Sequence, residues 1–163
     1  MNGFVPAMVA VMIAEMGPRA LLYADARRQE LVLWAIAATL FGVGATGHFA
    51  GQTMTEWADA LMIAIALAFA AAGQLQRVPT VRGFVPTFAA FWRGGVLILV
   101  FALAARFGPL AASFGGLAGL AGAAVLTRAL IAGGVPMAPL RWGAAVVLGI
   151  ASIVIAVQAL RLI

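Results

Sequence analysis

A carboxylate and a guanidinium lie four residues apart in an apolar stretch near the start of the chain. Glu15 and Arg19 stand inside residues 4–24, and residues 4–14 contain no polar side chain. At the centre of a bilayer each charge costs about 2.5–3.5 kcal/mol, so buried charges mark a functional site by default. At this spacing they share one face of a helix. The two residues therefore predict a buried charged site.

Gly17 and Pro18 separate the two charges. Proline has no backbone N–H, so the carbonyl of Ala14 loses its helical donor. The adjacent glycine lets the chain bend there. We expect a kink near the middle of this helix, with a carbonyl that faces a cavity or accepts a hydrogen bond from an arginine.

A second charged site lies in a later apolar stretch. Arg93 is close to the middle of residues 84–104, and Gly94 and Gly95 follow it. We expect a second kink at the glycines and an ion pair between Arg93 and Glu15, since each charge needs a partner in lipid. Two interpretations stay open: a binding site, or a buried pair that only holds two parts of the bundle in register.

His48 is the single histidine, and the chain has no cysteine. It is expected to meet a backbone carbonyl or the membrane surface; alternatively it is a proton-linked group, because histidine titrates near neutral pH. One histidine excludes a histidine-rich metal site, and thiolate sites are excluded as well. No nucleophile–base set is present, so we expect neither an enzyme nor a cofactor.

The composition defines the elements that must position these residues. Hydrophobic residues make up 65% of the chain and charged ones 9%, whereas a soluble domain carries about 25% charged residues. A membrane span needs about 20 apolar residues, and continuous runs of this length favour helices over a barrel. We predict an all-α integral membrane protein with six transmembrane helices, at residues 4–24, 31–51, 58–73, 84–104, 111–131 and 142–160.

A short motif occurs at the start of the first and the fourth predicted span. Gly3–Pro6 and Gly83–Pro86 share the letters GFVP. They divide the chain into halves of three spans each, residues 1–76 and 77–163. Because three is odd, the halves enter the membrane in opposite senses. This pattern is typical of inverted repeats in transporters, whose sites lie at the midplane between the halves.

Arginines between the spans predict the orientation. Five follow spans one, three and five, and two lie on the opposite side: Arg27, Arg28, Arg77, Arg82 and Arg141 against Arg106 and Arg161. Positive loops stay in the cytoplasm, so we expect a bacterial cytoplasmic (inner) membrane protein with both termini outside. The net charge of +5 comes from these dispersed arginines. The expected partner is the lipid bilayer and not a nucleic acid, which needs a clustered basic face.

Two GxxxG patterns stand in spans two and five. They are formed by Gly47 with Gly51, and by Gly115 with Gly119. Small residues at this spacing let helix backbones approach closely in lipid. The pattern favours packing inside the bundle; a homodimer interface is the alternative.

Residues 14–20 (AEMGPRA) resemble the E-x-G-D-[KR]-[ST] motif of the bacterial manganese exporters and Golgi Ca²⁺/Mn²⁺–proton exchangers. Residues 101–108 and 139–142 fit the same family. The resemblance implies six helices in two inverted halves and proton-coupled transport of a divalent cation, with Glu15 as a metal ligand.

The chain departs from that motif at Pro18, which replaces an aspartate, and at Ala20, which replaces a hydroxyl residue; residues 91–96 contain no acid. Divalent cations need several oxygen ligands. Three interpretations therefore stay open. The protein is a divergent cation exchanger that uses Glu15, a carrier of an anionic substrate that uses Arg19 and Arg93, or a transport-inactive structural or regulatory relative held by a Glu15–Arg93 pair.

Overall fold

The computed structural model describes residues 3–25, 30–76 and 83–161, in which the backbone forms helices and short turns without a strand. Of the arginines that predict the orientation, residues 27, 28, 77 and 82 lie outside these ranges. The helices are α1 (Phe4–Glu15), α2 (Pro18–Asp25), α3 (Glu30–Gly51), α4 (Glu56–Leu75), α5 (Phe84–Arg93), α6 (Val96–Phe107), α7 (Pro109–Ala132) and α8 (Met137–Arg161).

Four helices, α3, α4, α7 and α8, are long and apolar enough to cross a membrane. Helices α5 and α6 form a fifth candidate span with a bend of 52°. The prediction of a helical protein with several apolar spans is therefore confirmed. Six spans are not confirmed, because the first predicted span is interrupted and its apolar part, α1, has only 12 residues.

The boundaries of two helices differ from those expected. Helix α4 begins at Glu56 instead of residue 58, consistent with acidic side chains in the first turn, which complement the helix dipole. Helix α8 begins at Met137. Arg141 therefore lies within a helix and not in a loop, which corrects its use as a loop arginine. Arg106 likewise lies within α6.

Both motif copies begin a helix. Gly3 is the N-cap of α1 and Gly83 is the N-cap of α5, each followed at once by the phenylalanine that starts the helix. The matching positions of the motif are thus confirmed as matching helix starts.

Helix α1 packs along α7 in a parallel direction. A Cβ at Gly115 would lie 2.6 Å from the carbonyl oxygen of Phe4, and a Cβ at Gly119 would lie 2.6 Å from that of Met8. A step of four residues along α7 matches a step of four residues in the same direction along α1, so the two helices are parallel. The contact is close enough that only glycine fits there.

The other GxxxG pair makes an equivalent contact on α6. The Cα atoms of Gly47 and Gly51 lie against the backbone carbonyls of Phe101 and Ala105, so α3 and α6 are also parallel. Both glycine pairs are thus covered within one chain, as the packing interpretation predicts.

Helices α4 and α8 run antiparallel and form the third extensive pairing. Ser152 Oγ donates to the carbonyl of Ala64 at 2.7 Å, while Arg141, near the start of α8, contacts the end of α4. Fully buried side chains at the centre of the bundle include Leu40 and Phe91. Large apolar side chains such as Trp34, 74% exposed, face outward, where a lipid environment would cover them.

Candidate functional site

The first helix is interrupted at Met16–Gly17, which we call the first break. Helix α1 ends at Glu15, and Pro18 is the first residue of α2. Gly17 has φ +122°, a conformation that residues with a Cβ rarely adopt. The kink expected between Glu15 and Arg19 is therefore confirmed, and it is a complete interruption of the helix.

Gln74 of α4 binds the end of α1. Its Nε2 donates to the carbonyl of Ile13 at 3.1 Å and also to the carbonyl of Ala14. The latter is the carbonyl that Pro18 leaves without a helical donor. We expected a cavity or an arginine here; the donor is a glutamine from another helix, because a buried carbonyl needs a partner.

A threonine of α7 binds the other side of the first break. The backbone N–H of Gly17 donates to Thr127 Oγ1 at 3.1 Å, and the bond is buried. Thr127 is itself fully buried. The first break is thus held by side chains from two other helices.

Arg141 of α8 fixes the end of α4 and hence the position of Gln74. Its Nε donates to the carbonyl of Gln74 at 2.8 Å, and its Nη2 donates to the carbonyls of Gln74 and Gln76. Cations are favourable at a helix C-terminus, where the last carbonyls lack partners. Sequence reasoning assigned this arginine to membrane orientation, because nothing local to residue 141 indicates a contact with α4.

The second break lies at Gly94–Gly95, between α5 and α6. Gly95 has φ +80° and is the N-cap of α6. A Cβ on Gly95 would lie 3.1 Å from backbone atoms of Ala70, so α4 passes close to the break. The kink expected at these two glycines is also confirmed.

The two breaks meet at one buried point. A Cβ on Gly94 would lie 2.5 Å from Glu15 Oε1 and 3.4 Å from Arg19 Nη1, and a Cβ on Gly73 would lie 3.2 Å from the same Nη1. Glu15 is fully buried and Arg19 is 5% exposed. We call these four residues the break site. It brings a carboxylate, a guanidinium and two glycine surfaces together.

Arg93 and His48 lie outside this cluster. Arg93 is exposed, while Glu15 is fully buried, so the expected Glu15–Arg93 pair receives no support from the burial of the two side chains. The buried guanidinium at the break site belongs to Arg19. His48, near the end of α3, faces Gln52 in the turn that follows the helix, with 3.4 Å between the two Nε2 atoms.

A cavity of about 540 Å³ lies between α3 and α7 and is lined by Glu30, Trp34 and Arg128, among others. Two further cavities border α1 or α2. The larger of these two, about 410 Å³, lies between α1, α4, α6 and α8, with Ala10 and Leu67 in its walls and Arg106 at its rim; we call it the large cavity. The small cavity, about 10 Å³, borders the first break and is lined by Arg19, Gly73 and Arg141, among others.

An apolar layer separates the two cavities. Ala14, Ala70 and Val96 are all fully buried and belong to one apolar core. They come from α1, α4 and α6, the three helices that the breaks bring together. The break site therefore has a large open space on one side of this layer and almost none on the other.

The residues of the break site do not fit a divalent cation. Within residues 3–25, 30–76 and 83–161, no group of three acidic, histidine or cysteine side chains comes together. Glu15 is accompanied there by Arg19, and Arg141 lies behind Gln74. A divalent cation takes several oxygen ligands with compensating negative charge, and two guanidiniums oppose it.

No protein-family model matches the chain, and no curated protein or solved structure matches it either. The resemblance to the manganese exporters and Ca²⁺/Mn²⁺–proton exchangers therefore stays a prediction from the motif alone. What the fold and site define is a helical protein with several apolar spans and two interrupted helices that meet at buried charges.

Proposed function

We propose that the protein is a multi-pass carrier of the bacterial cytoplasmic membrane, built from two inverted halves, with the break site as its substrate site. The pairing of the helices supports the inverted halves. The middle helix of each half, α3 or α7, packs in parallel on the interrupted helix of the other half, and α4 packs on α8. A pseudo-two-fold axis in the membrane plane that relates the two halves would pair each middle helix with the interrupted helix of the other half.

The observation that carries the proposal is the meeting of the two breaks around Glu15 and Arg19. Interrupted helices near the middle of a membrane expose backbone groups and helix ends that regular spans hide, and carriers use them to bind ions and substrates. Helix α1, with 12 residues, is about 18 Å long. The first break therefore lies well inside a hydrocarbon core of about 30 Å.

The unequal cavities support alternating access. The large cavity reaches towards the break site from the side of Arg106, while Ala14, Ala70 and Val96 lie between them. A carrier opens one side while the other stays closed, by moving one half against the other. The structure fits a state open on the Arg106 side and closed on the Arg141 side.

The substrate of this carrier is not a divalent cation, because the donor set described above opposes one. The family resemblance thus contributes the architecture of the proposal and not its substrate. The remaining arginines of the predicted connections, Arg27, Arg28, Arg77 and Arg82, follow spans one and three, and they support a cytoplasmic position for that side. The Arg106 side then faces the exterior.

Cysteine accessibility tests the carrier without knowledge of the substrate, since the chain has no cysteine of its own. Ala10→Cys places a thiol in the large cavity and Met16→Cys places one beside the small cavity. We expect a membrane-impermeant maleimide to label Ala10→Cys from outside right-side-out vesicles, and Met16→Cys more slowly from the opposite side in inverted vesicles. Ile150→Cys, on an outward apolar face, is the control that reacts from neither side.

Alternation requires a further result. A bulky maleimide fixed at Ala10→Cys in a double variant should slow the labelling of Met16→Cys at least about tenfold, or abolish it, because the Arg106 side can then no longer close. If Met16→Cys stays unreactive from both sides under all conditions, the protein does not open. The transport-inactive structural relative would then be the correct interpretation.

A further inference from the structure

One donor of Arg19 has no acceptor among residues 3–25, 30–76 and 83–161. Its Nη2 donates to Gln76 Oε1 at 3.3 Å. Its Nη1 is buried and has no hydrogen-bond partner in the part of the chain that the structure describes. Buried polar groups are nearly always paired, and the loss of a partner costs most for a charged group. A guanidinium that is 5% exposed therefore points to a ligand that accepts from Nη1.

Two glycines lie beside this nitrogen. A Cβ on Gly73 or on Gly94 would lie 3.2 or 3.4 Å from Nη1, and closer still to the carbonyl oxygen of Gly94 (2.9 Å) or to Glu15 Oε1 (2.5 Å). Glycine at both positions therefore lets the guanidinium, the carboxylate and the backbone approach one another closely. The small cavity that borders Arg19 and Gly73 has a volume of about 10 Å³. This is enough for about one water-sized particle. It excludes phosphate, sulfate and organic metabolites in this state.

The start of α6 adds positive potential. Gly94 is the last residue before the N-cap Gly95, and no side chain caps this helix. The free backbone N–H groups of a helix N-terminus attract anions. Arg19 Nη1 faces Gly94, the residue before this N-terminus. Of the two groups it is Arg19 that lines the small cavity, and its charge favours a negative particle.

The carboxylate of Glu15 lies close to the proposed position of the anion. Its Oε1 lies against the same Gly94 that faces Arg19 Nη1. The elements packed around it also carry charged residues: Arg19 of α2, Arg93 of α5, Arg106 of α6, Arg128 of α7, Arg141 and Arg161 of α8, and Glu56 and Asp59 of α4. Next to the first break, α4 and α7 contribute the neutral side chains of Gln74 and Thr127. Repulsion between Glu15 and an adjacent anion is removed when a proton binds the carboxylate.

We infer that the break site binds a small monovalent anion of chloride size at Arg19 Nη1, and that a proton on Glu15 is carried with it. The inference rests on the carrier proposed above and names its substrate class. Transport is then electroneutral: one halide and one proton enter from one side, and both leave on the other. No covalent bond forms or breaks except the O–H bond of Glu15.

Binding is tested by thermal unfolding of the purified full-length protein in detergent. Sodium chloride is compared with sodium gluconate at equal ionic strength, at mildly acidic and mildly alkaline pH. We expect chloride to raise Tm by about 4 °C or more at saturation, and more strongly at the acidic pH. Arg19→Gln should lose the shift, and Arg161→Gln, at the exposed end of α8, should keep it. Equal Tm values in chloride and gluconate for the wild type would overturn the inference.

Gly73→Ala provides a test that keeps the guanidinium, in case Arg19→Gln does not fold. The added methyl group would lie 3.2 Å from Nη1 and 2.9 Å from the carbonyl oxygen of Gly94, without changing the charge. We expect the affinity for chloride to fall at least about tenfold relative to that for the smaller fluoride. An unchanged ratio of chloride to fluoride affinity would overturn the placement of the anion.

Coupling is tested in proteoliposomes with the voltage clamped by potassium and valinomycin. An inward chloride gradient should acidify the lumen and drive uptake of radioactive chloride at similar rates in the wild type, and Glu15→Gln should abolish the acidification. Chloride flux without acidification would overturn the proton part of the inference.

Stabilisation of the wild type by Mn²⁺ or Ca²⁺, lost in Glu15→Gln, would overturn the anion site in favour of a cation exchanger. The cysteine experiment separates the two proposals. If the cysteines are labelled alternately and chloride has no effect, the anion site is rejected and the carrier proposal stands. If labelling does not alternate, the carrier proposal is rejected, whatever the effect of chloride on Tm.

Discussion

The two helix breaks share a backbone feature, a glycine with positive φ, but their side chains differ in chemistry. Both contain a glycine with positive φ, at Gly17 and Gly95. The first break also carries Glu15 and Arg19, and side chains of α4 and α7 bind its free backbone groups. At the second break the close neighbours of Gly95 are backbone atoms of Ala70.

The difference shows that the two breaks have different roles. The second break supplies an uncapped helix start and a surface without side chains, against which the charges of the first break fit. A charged residue at Gly94 would have no space, because even a Cβ would lie 2.5 Å from Glu15 Oε1. The first break therefore carries the buried charges, and the second break leaves space for them.

Substitution of alanine at the two positive-φ glycines should cause the largest loss of stability, and the loss should differ between the two breaks. Gly95→Ala combines backbone strain with a Cβ contact at 3.1 Å on the backbone of Ala70, and we expect a loss of about 2–4 kcal/mol. Gly17→Ala meets only the flexible Arg141 side chain at 3.2 Å, so we expect about 1–3 kcal/mol. Chemical unfolding in detergent, followed by circular dichroism, measures both.

The control is Gly42→Ala, since an added Cβ there meets nothing within 4 Å. It should be neutral or stabilise α3 by up to about 1 kcal/mol. If Gly17→Ala cost more than Gly95→Ala, the backbone contact of the second break would not be the stricter constraint.

Removal of the side chains that bind the first break should have the next largest effect. Gln74→Leu leaves the carbonyls of Ile13 and Ala14 without their donor, and Thr127→Val leaves the N–H of Gly17 without its acceptor. We expect each to cost about 1–3 kcal/mol. Thr46→Val, which removes only an exposed bond within α3, should change stability by less than about 0.5 kcal/mol. A cost for Thr127→Val no larger than that control would show that the Gly17 bond is not needed.

Arg93 should be energetically independent of Glu15. The interpretation of a structural Glu15–Arg93 pair predicts that a loss of stability in Glu15→Gln is restored by Arg93→Met. The exposure of Arg93 instead predicts that the double variant is additive within about 0.5 kcal/mol. A double-mutant cycle measured by urea unfolding decides between the two; a coupling well above that value would re-establish the pair.

His48 should have the smallest effect. Its contact with Gln52 lies on the surface of α3, away from the break site. His48→Gln should change the free energy of unfolding by less than about 0.5 kcal/mol and leave the pH dependence of proton uptake into proteoliposomes as in the wild type. A shifted pH profile would restore the proton-linked interpretation.

Local patterns in the sequence decided much of this protein. Apolar runs predicted a helical membrane protein, Gly17–Pro18 and Gly94–Gly95 predicted the two interruptions, and the two GxxxG pairs predicted close packing. Each is a property of a few neighbouring residues: helix hydrogen bonds fail at proline, positive φ needs glycine, and close approach needs small side chains.

The partners of those residues were decided only by tertiary structure. Nothing in the sequence near Gln74, Thr127 or Arg141 indicates that they bind the first break and the end of α4. The sequence also suggested Arg93 as the partner of Glu15, from its position in the second half alone. A position along a helix sets the depth of a charge; which face turns inward depends on the packing of every other helix. That packing put Arg19 into the break site and left Arg93 exposed.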